Sequence, residues 1–251
     1  MAICAVVPVK PLRRGKSRLH AIMDRGSRLT LNHCLLQNTL ETLSTVPEIE
    51  QVLVISRDPQ VLSLARSFRA RTIQETGSPH LNLALERATQ YAKINSVHGV
   101  IIIPADLPLI NSYDIQRLLV IKPSSASVVI TPDRHRKGTN AMLISPPGAI
   151  SYHYGDNSFQ AHCEEALIAG IELKIFEVPS LALDLDTPED LGIVRKQMRL
   201  LDFENLRKNQ TSGKNGNGLH AESKINLEME NPCLQQFTTL FDGREIDPNY
   251  E

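Results

Sequence analysis

Residues 100–103, Val-Ile-Ile-Ile, form a run with no polar position, and Pro104 stops it. Four β-branched residues in a row are too few for a helix and too uniformly apolar for a strand with one wet face. They read as a strand buried on both sides. A strand of that kind needs helices packed above and below its sheet, which restricts the chain to an α/β layer architecture.

The rest of the first 200 residues fits that restriction. Ala2–Val9 is a β-rich run closed by the prolines at 8 and 11, and Val52–Ile55 is a second short strand. Ala126–Thr131, Asn140–Ile144 and Leu173–Val178 add further strands. Helical spacing of apolar residues predicts helices over Leu29–Leu43, Pro59–Phe68, Leu81–Ala92, Ser112–Ile121, Ser158–Ala169 and Thr187–Leu206. Strand and helix alternate at βαβ spacing through about residue 120. The expected fold class is therefore a three-layer α/β/α sandwich around a mixed, mostly parallel sheet. Ligands bind such sheets at the carboxyl ends of the strands, so chemistry-bearing residues are expected just after strands.

Composition narrows the function classes. The 251 residues carry 27 basic and 28 acidic side chains, a formal net charge of -1, which gives no argument for nucleic acid or a membrane surface. No apolar run approaches the roughly 18–20 residues that a membrane helix needs, and no signal peptide is evident at the start. The four cysteines (4, 34, 163 and 233) are scattered, with no C-x-x-C pair, which suits a reduced cytoplasm. From Lys208 to Gly218 the chain is polar, glycine-rich and without an apolar residue. We therefore expect a domain over 1–207, with 208–251 a polar linker and flexible tail. Residues 202–251 hold nine acids against five bases, leaving the first 201 residues about three units positive.

Three segments fall where a strand-end site would be. After the first strand, Lys10, Arg13, Arg14, Lys16 and Arg18 put five cations into nine residues around Gly15. Such a turn can face a polyphosphate with side-chain cations and backbone N–H groups. Gly15-Lys16-Ser17 is not a Walker A loop, because position 10, where that motif needs glycine, is lysine. After the central strand, Pro104-Ala105-Asp106-Leu107-Pro108 sets a carboxylate at the strand tip, placed to hold Mg²⁺ against phosphate oxygens. In Leu183-Asp184-Leu185-Asp186-Thr187-Pro188-Glu189-Asp190, Asp184 and Asp186 are two apart and share a side of an extended segment. Thr187, Pro188 and Asp190 read as the start of the following helix. Two further turns, Arg134–Asn140 and Tyr154–Ser158, could grip a small anion or be ordinary structural turns. The eight histidines show no zinc spacing, and neither a G-x-S-x-G elbow nor a G-x-G-x-x-G turn occurs. What remains is phosphoryl or nucleotidyl chemistry with Mg²⁺.

The set V-P-V-K-P-L-x-x-G-K-S-R-L, P-A-D-L-P, D-R-x-x-x-G-T-N-A, Y-G-D-N-S-F-x-x-H and L-D-L-D-T-P-E-D-L resembles, in that order over about residues 1–200, the 2-phospholactate/phosphoenolpyruvate guanylyltransferase family of deazaflavin coenzyme biosynthesis. The resemblance implies a nucleotide-diphospho-sugar-transferase-like fold. It also implies transfer of GMP from GTP to the phosphate of a small 2-phospho acid, with release of pyrophosphate. Carried over, Lys10, Arg14, Lys16 and Arg18 would lie along the GTP phosphates, with Arg14, Lys16 and Asp106 in catalysis and Asn82 near the nucleotide. Thr139, Gly155 and Ser158 would bind the phospho-acid, and Asp106 with Asp184 or Asp186 would hold Mg²⁺.

Two other readings stay open at the level of sequence. One is a nucleotidyltransferase for a molybdopterin cofactor or sugar phosphate, although those sites usually carry a loop richer in glycine. The other is a non-catalytic nucleotide-binding protein whose tail recruits a partner. Phosphoenolpyruvate, 2-phospholactate and 3-phosphoglycerate are not distinguished, and a homodimer is the expected assembly only because it is the commonest one.

Overall fold

The computed structural model describes residues 2–77, 80–121 and 126–212, with 201–212 given by their backbone alone. Seven strands form one sheet: β1 (Ile3–Val9), β2 (Ile49–Ser56), β3 (Arg71–Gln74), β4 (Gly99–Ile102), β5 (Ser127–Pro132), β6 (Thr139–Ser145) and β7 (Glu172–Ile175). Their order is β3-β2-β1-β4-β6-β5-β7. β6 runs antiparallel to both its neighbours, and every other pairing is parallel. This is the expected mixed, mostly parallel sheet. Its carboxyl edge carries the ends of β1 to β5 and the start of β6.

Among the described residues seven α-helices accompany it: α1 (Arg25–Ser44), α2 (Pro59–Ser67), α3 (Leu81–Ile94), α4 (Ser112–Val120), α5 (Ser158–Ile168), α6 (Pro179–Ala182) and α7 (Pro188–Ser212). The strand period of two sorts β1 between the layers. Ile3, Ala5 and Val7 pack with Leu36 and Leu40 of α1, Val61 of α2 and Leu118 of α4. Cys4 and Val6 pack on the other face with Leu85 and Ala88 of α3 and with Phe159 of α5. Both faces are therefore covered, as the central apolar run required. A third cluster joins α7 to α1 through Leu31, Leu35, Leu191 and Val194, and includes Leu19 from the cationic loop and Leu183 and Leu185 from the acidic segment. Truncating a fully buried leucine such as Leu40 to alanine is expected to cost about 2–5 kcal/mol.

Some elements depart from the sequence expectation. β3 was not expected: Arg-Thr-Ile-Gln is a polar edge strand, formed because its backbone pairs with Leu53–Ser56 rather than because its side chains are apolar. α1 begins at Arg25 instead of Leu29, where Asp24 caps it by accepting from the Ser27 N–H at 2.9 Å. β7 ends at Ile175, short of Val178, and the short α6 follows. α7 continues through Ser212, so its backbone extends past residue 207 into the stretch expected to be linker. The remainder of that stretch, residues 213–251, lies outside the described residues.

Candidate active site

A cavity of about 640 Å³ opens at the carboxyl edge of the sheet, and Lys10, Arg14, Lys16, Arg18, Asp106, Thr139, Asp184 and Asp186 all line it. Four of the five expected cations thus share one space with all three expected carboxylates. Arg13 instead lines a neighbouring cleft with Arg25 and Arg57.

The cationic loop is folded by close contacts. Leu12–Arg14 and Ser17–Leu19 are single 3₁₀ turns, and Leu12 and Leu19 are buried anchors. The Leu12 N–H donates to Asp58 at 3.0 Å, and its carbonyl accepts from the Asn32 amide at 2.7 Å. That amide lies so near Gly15 that an added Cβ would come within 2.6 Å of it, which explains the glycine. The left-handed residue is not Gly15 but Lys16, at φ 57° and ψ 38°. A non-glycine residue there is strained, by an amount of order 1 kcal/mol, and the surrounding contacts must hold it.

What holds it is an ion triad. The Lys16 ammonium donates to Asp106 at 3.0 Å and to Asp186 at 2.9 Å, and its side chain is only 5% exposed. Burial alone would disfavour its charge, but the two carboxylates outweigh burial and hold its pKa above the ordinary lysine value. Burial likewise works against ionising Asp186, yet Lys16, helped by Lys10 and Arg18, keeps that carboxyl below the usual range. Asp184 has no such partner: burial, then the negative charges of Asp106 and Asp186, push its carboxyl up to about 6.

The acidic segment reaches this position through its alternation. Leu183 and Leu185 are buried in the α1–α7 cluster, which turns Asp184 and Asp186 toward the cavity. The Leu185 N–H donates to the Asp106 carbonyl at 3.0 Å, fastening the segment beside the β4 tip. Asp190 then fixes the turn, accepting from the N–H groups of Asp186 and Thr187 at 3.1 and 2.7 Å and from the Thr187 hydroxyl at 2.8 Å. Arg134 completes it with 2.9 and 3.0 Å ion pairs to Asp190 and Glu189.

Among the described residues no three Asp, Glu, His or Cys side chains form a ready metal cage. The donor set nevertheless fits Mg²⁺, which takes one or two carboxylates and completes its shell with phosphate and water. Asp106 with Asp184 or Asp186 would supply them, and a cation there would offset the burial and the neighbouring negative charge that suppress the acidity of Asp184.

Thr139 lies beside this carboxylate wall, at the start of β6 next to the β4 tip, in a buried polar network. Its N–H donates to the Ser158 hydroxyl at 3.0 Å. The His153 N–H donates to Nε2 of His162 at 2.9 Å, so the ring proton sits on Nδ1 and is directed at the Thr139 hydroxyl 3.0 Å away. Burial, with the nearby His153, lowers the His162 pKa to about 4 and keeps the ring neutral.

Other expected site residues stand beside the cavity rather than on its lining. Asn82 is paired with the backbone of Tyr154 in both directions, at 3.2 and 2.8 Å. Ser158 is buried at the start of α5, and Gly155 precedes it at φ 145°, a conformation that favours glycine. The cations of the β5–β6 turn do not face the cavity: Arg134 pairs with α7 and Arg136 with Glu177. Arg57 and Glu75, not singled out from the sequence, also line it, as do His80 and Asn140. Asn140 belongs to the Arg134–Asn140 turn that the sequence offered as an anion grip, and His80 precedes the Leu81-Asn82 pair. Arg57 and Glu75 directly follow β2 and β3, so the strand-end rule covers Arg57 after an expected strand and Glu75 once β3 is recognised.

Residues 3–198 match the family model described as CofC-like guanylyl transferase. The phosphoenolpyruvate guanylyltransferase of Rubrobacter xylanophilus is 41% identical over 192 residues, 76% of this chain and 93% of that protein. The 2-phospho-L-lactate guanylyltransferase of Methanothermobacter thermautotrophicus is 36% identical over 192 residues, 76% of this chain and 83% of its own. Among solved structures, a nucleotide-diphospho-sugar transferase of Desulfovibrio desulfuricans superposes with a TM-score of 0.66 at 16% identity, covering 98% of this chain and 99% of that one. At that identity the likeness bears on the fold alone.

Proposed function

The chain belongs to the family of CofC-like guanylyl transferases, and from that premise we propose that it transfers GMP from GTP to the phosphate of a small 2-phospho acid. Phosphoenolpyruvate is the first candidate, because the relative at 41% identity is named for it; 2-phospholactate is the second. The observation that carries the reading is the Lys16 ammonium set between Asp106 and Asp186 in a cavity that also holds Lys10, Arg14 and Arg18.

The chemistry follows from those groups. The acceptor's phosphate is already ionised at neutral pH, so its attack needs no strong base, in keeping with a cavity rich in lysine, arginine and aspartate. An acceptor oxygen forms a bond to the GTP α-phosphorus while the bridging α–β bond breaks, and pyrophosphate leaves with that electron pair. Lys10, Arg14 and Arg18 neutralise the phosphates, and Lys16 is buried where charge builds at the α-phosphate. Asp106, with Asp184 or Asp186, would hold Mg²⁺, which supplies charge neutralisation at the phosphate oxygens. Thr139 donates to the acid, while Gly155 and Ser158 shape its end of the cavity. Asn82 acts on the nucleotide through the Tyr154 backbone that it holds.

We assign the activity to a cytoplasmic step of deazaflavin coenzyme F420 biosynthesis, carried out by a homodimer. No helix among the described residues is long and apolar enough to cross a membrane. The test is pyrophosphate release with Mg²⁺ and GTP, with phosphoenolpyruvate, 2-phospholactate and 3-phosphoglycerate supplied separately. Release that depends on one of the 2-phospho acids is expected. Silence with all three from protein that binds GTP would reject the reading.

A further inference from the structure

The proposed reaction leaves one end of the cavity without a task. The sheet order lays the lining groups out in sequence along its carboxyl edge. Glu75 follows β3, Arg57 follows β2, the cationic loop follows β1, and Asp106 follows β4, with Thr139 at the start of β6. Neighbouring strands lie about 4.8 Å apart, so Glu75 stands roughly 10 Å along the edge from the β1 tip, on the side away from the carboxylate wall. If the acid lies at Thr139 and the α-phosphate at Lys16 and Asp106, the nucleoside must extend toward Glu75.

That end has the chemistry of a slot for a flat base. Ile55, Leu81 and Ala84 supply apolar surface, and Leu81 is 40% exposed although it opens a helix against the core. Glu75 is the one acidic side chain among the lining residues there, and its backbone is fixed by donating to the Ser56 carbonyl at 3.0 Å. Arg57 hydrogen-bonds the Gly77 carbonyl, which ties down the stretch that follows. Within the described residues no hydrogen bond or ion pair engages the Glu75 carboxylate.

We propose that Glu75 is the base-reading residue of this enzyme, its carboxylate accepting from the N1–H and the exocyclic amino group of guanine. This rests on the guanylyltransferase reading above and deepens it. A carboxylate offers two acceptors and no donor. Guanine presents two matching donors on that edge. Hypoxanthine presents one, adenine turns an unprotonated nitrogen to it, and xanthine places a carbonyl oxygen where guanine has its amine. The choice of guanine is thus made by one side chain, at a strand whose own sequence gave no sign of being one.

The same logic gives a gain-of-function test. In Glu75→Gln the side-chain oxygen still accepts from N1–H, while its amide now donates, which matches xanthine rather than guanine. The experiment measures kcat/KM for pyrophosphate release with GTP, ITP, XTP and ATP in wild type, Glu75→Gln and Glu75→Ala, with nucleotide Kd values by calorimetry. The wild type is expected to prefer GTP over ITP, and ITP over ATP and XTP. Glu75→Ala should lose roughly 10–100-fold with GTP and much less with ATP. Glu75→Gln should raise the XTP:GTP ratio at least tenfold, an effect that misfolding cannot imitate. Equal losses for all four nucleotides, or ratios unchanged in both variants, would overturn the assignment. The Kd ratios decide it without turnover, so failure of the transfer reaction, which would sink the guanylyltransferase reading, is seen separately.

Discussion

Lys16 and Asp186 are 170 positions apart in the chain, yet the ammonium of one lies 2.9 Å from the carboxylate of the other. Asp106 completes the contact from a third segment. The three residues tie the β1 loop, the β4 tip and the entry to α7 into one wall, and they place a buried positive charge where the proposed reaction accumulates negative charge.

Replacing Lys16 with methionine keeps most of its bulk and removes that charge. We expect kcat to fall by roughly 10²–10³, the usual loss when a preorganised transition-state contact is removed. Steady-state rates, with circular dichroism as a check on folding, measure it; a loss under tenfold would take Lys16 out of the reaction.

Thr139→Val removes the hydroxyl to which His162 is hydrogen-bonded and leaves the shape nearly unchanged. The KM for the phospho-acid should rise about tenfold while the KM for GTP stays within twofold, the size of one lost hydrogen bond to a charged group. Equal changes in both constants would mean that Thr139 serves the fold alone.

The neutral, buried His162 predicts a pH dependence of stability. Its pKa is about 4 when folded, against 6.5 as the ordinary value, so the unfolded chain binds the extra proton between those limits. The contribution is therefore fully present above pH 6.5 and declines as the pH falls toward 4, by at most about 3 kcal/mol. Urea midpoints from pH 7.5 to 4.5 should fall, and His162→Gln should flatten that slope even if it lowers the plateau.

Much of this site was legible because it obeys one rule: side chains just after strands meet at one edge of a parallel sheet. Asp106 and the cations after β1 follow from that rule, and Asp184 with Asp186 from the alternation whose leucines anchor the segment. Glu75 was not found, because Arg71–Gln74 lacks the apolar pattern that marks a strand, and edge pairing is a tertiary effect; Arg57 follows an expected strand but reads as the opening of the next helix. The strain at Lys16 was equally invisible, since the neighbouring glycine draws attention while Asn32 is what crowds it. The cations of the β5–β6 turn looked like anion ligands because their partners, Glu177, Glu189 and Asp190, lie 41 or more residues away.

Asp190 joins fold to site. Asp190→Ala removes the acceptor for three donors on the acidic turn and the partner of Arg134. We expect a loss of about 1–3 kcal/mol in stability and a higher Mg²⁺ concentration for half-maximal rate, read by thermal melting and a Mg²⁺ titration. A variant that melts normally and keeps its Mg²⁺ dependence would show that the turn holds without it.

The central claim, that this carboxylate–lysine wall transfers a guanylyl group to a phospho-acid, is tested most directly by mass spectrometry of the products. With GTP, Mg²⁺ and phosphoenolpyruvate, or 2-phospholactate in its place, the account predicts a guanosine diphospho-acid adduct equimolar with pyrophosphate, and none from a folded Asp106→Asn variant. Pyrophosphate without adduct, or full turnover by Asp106→Asn, would contradict it.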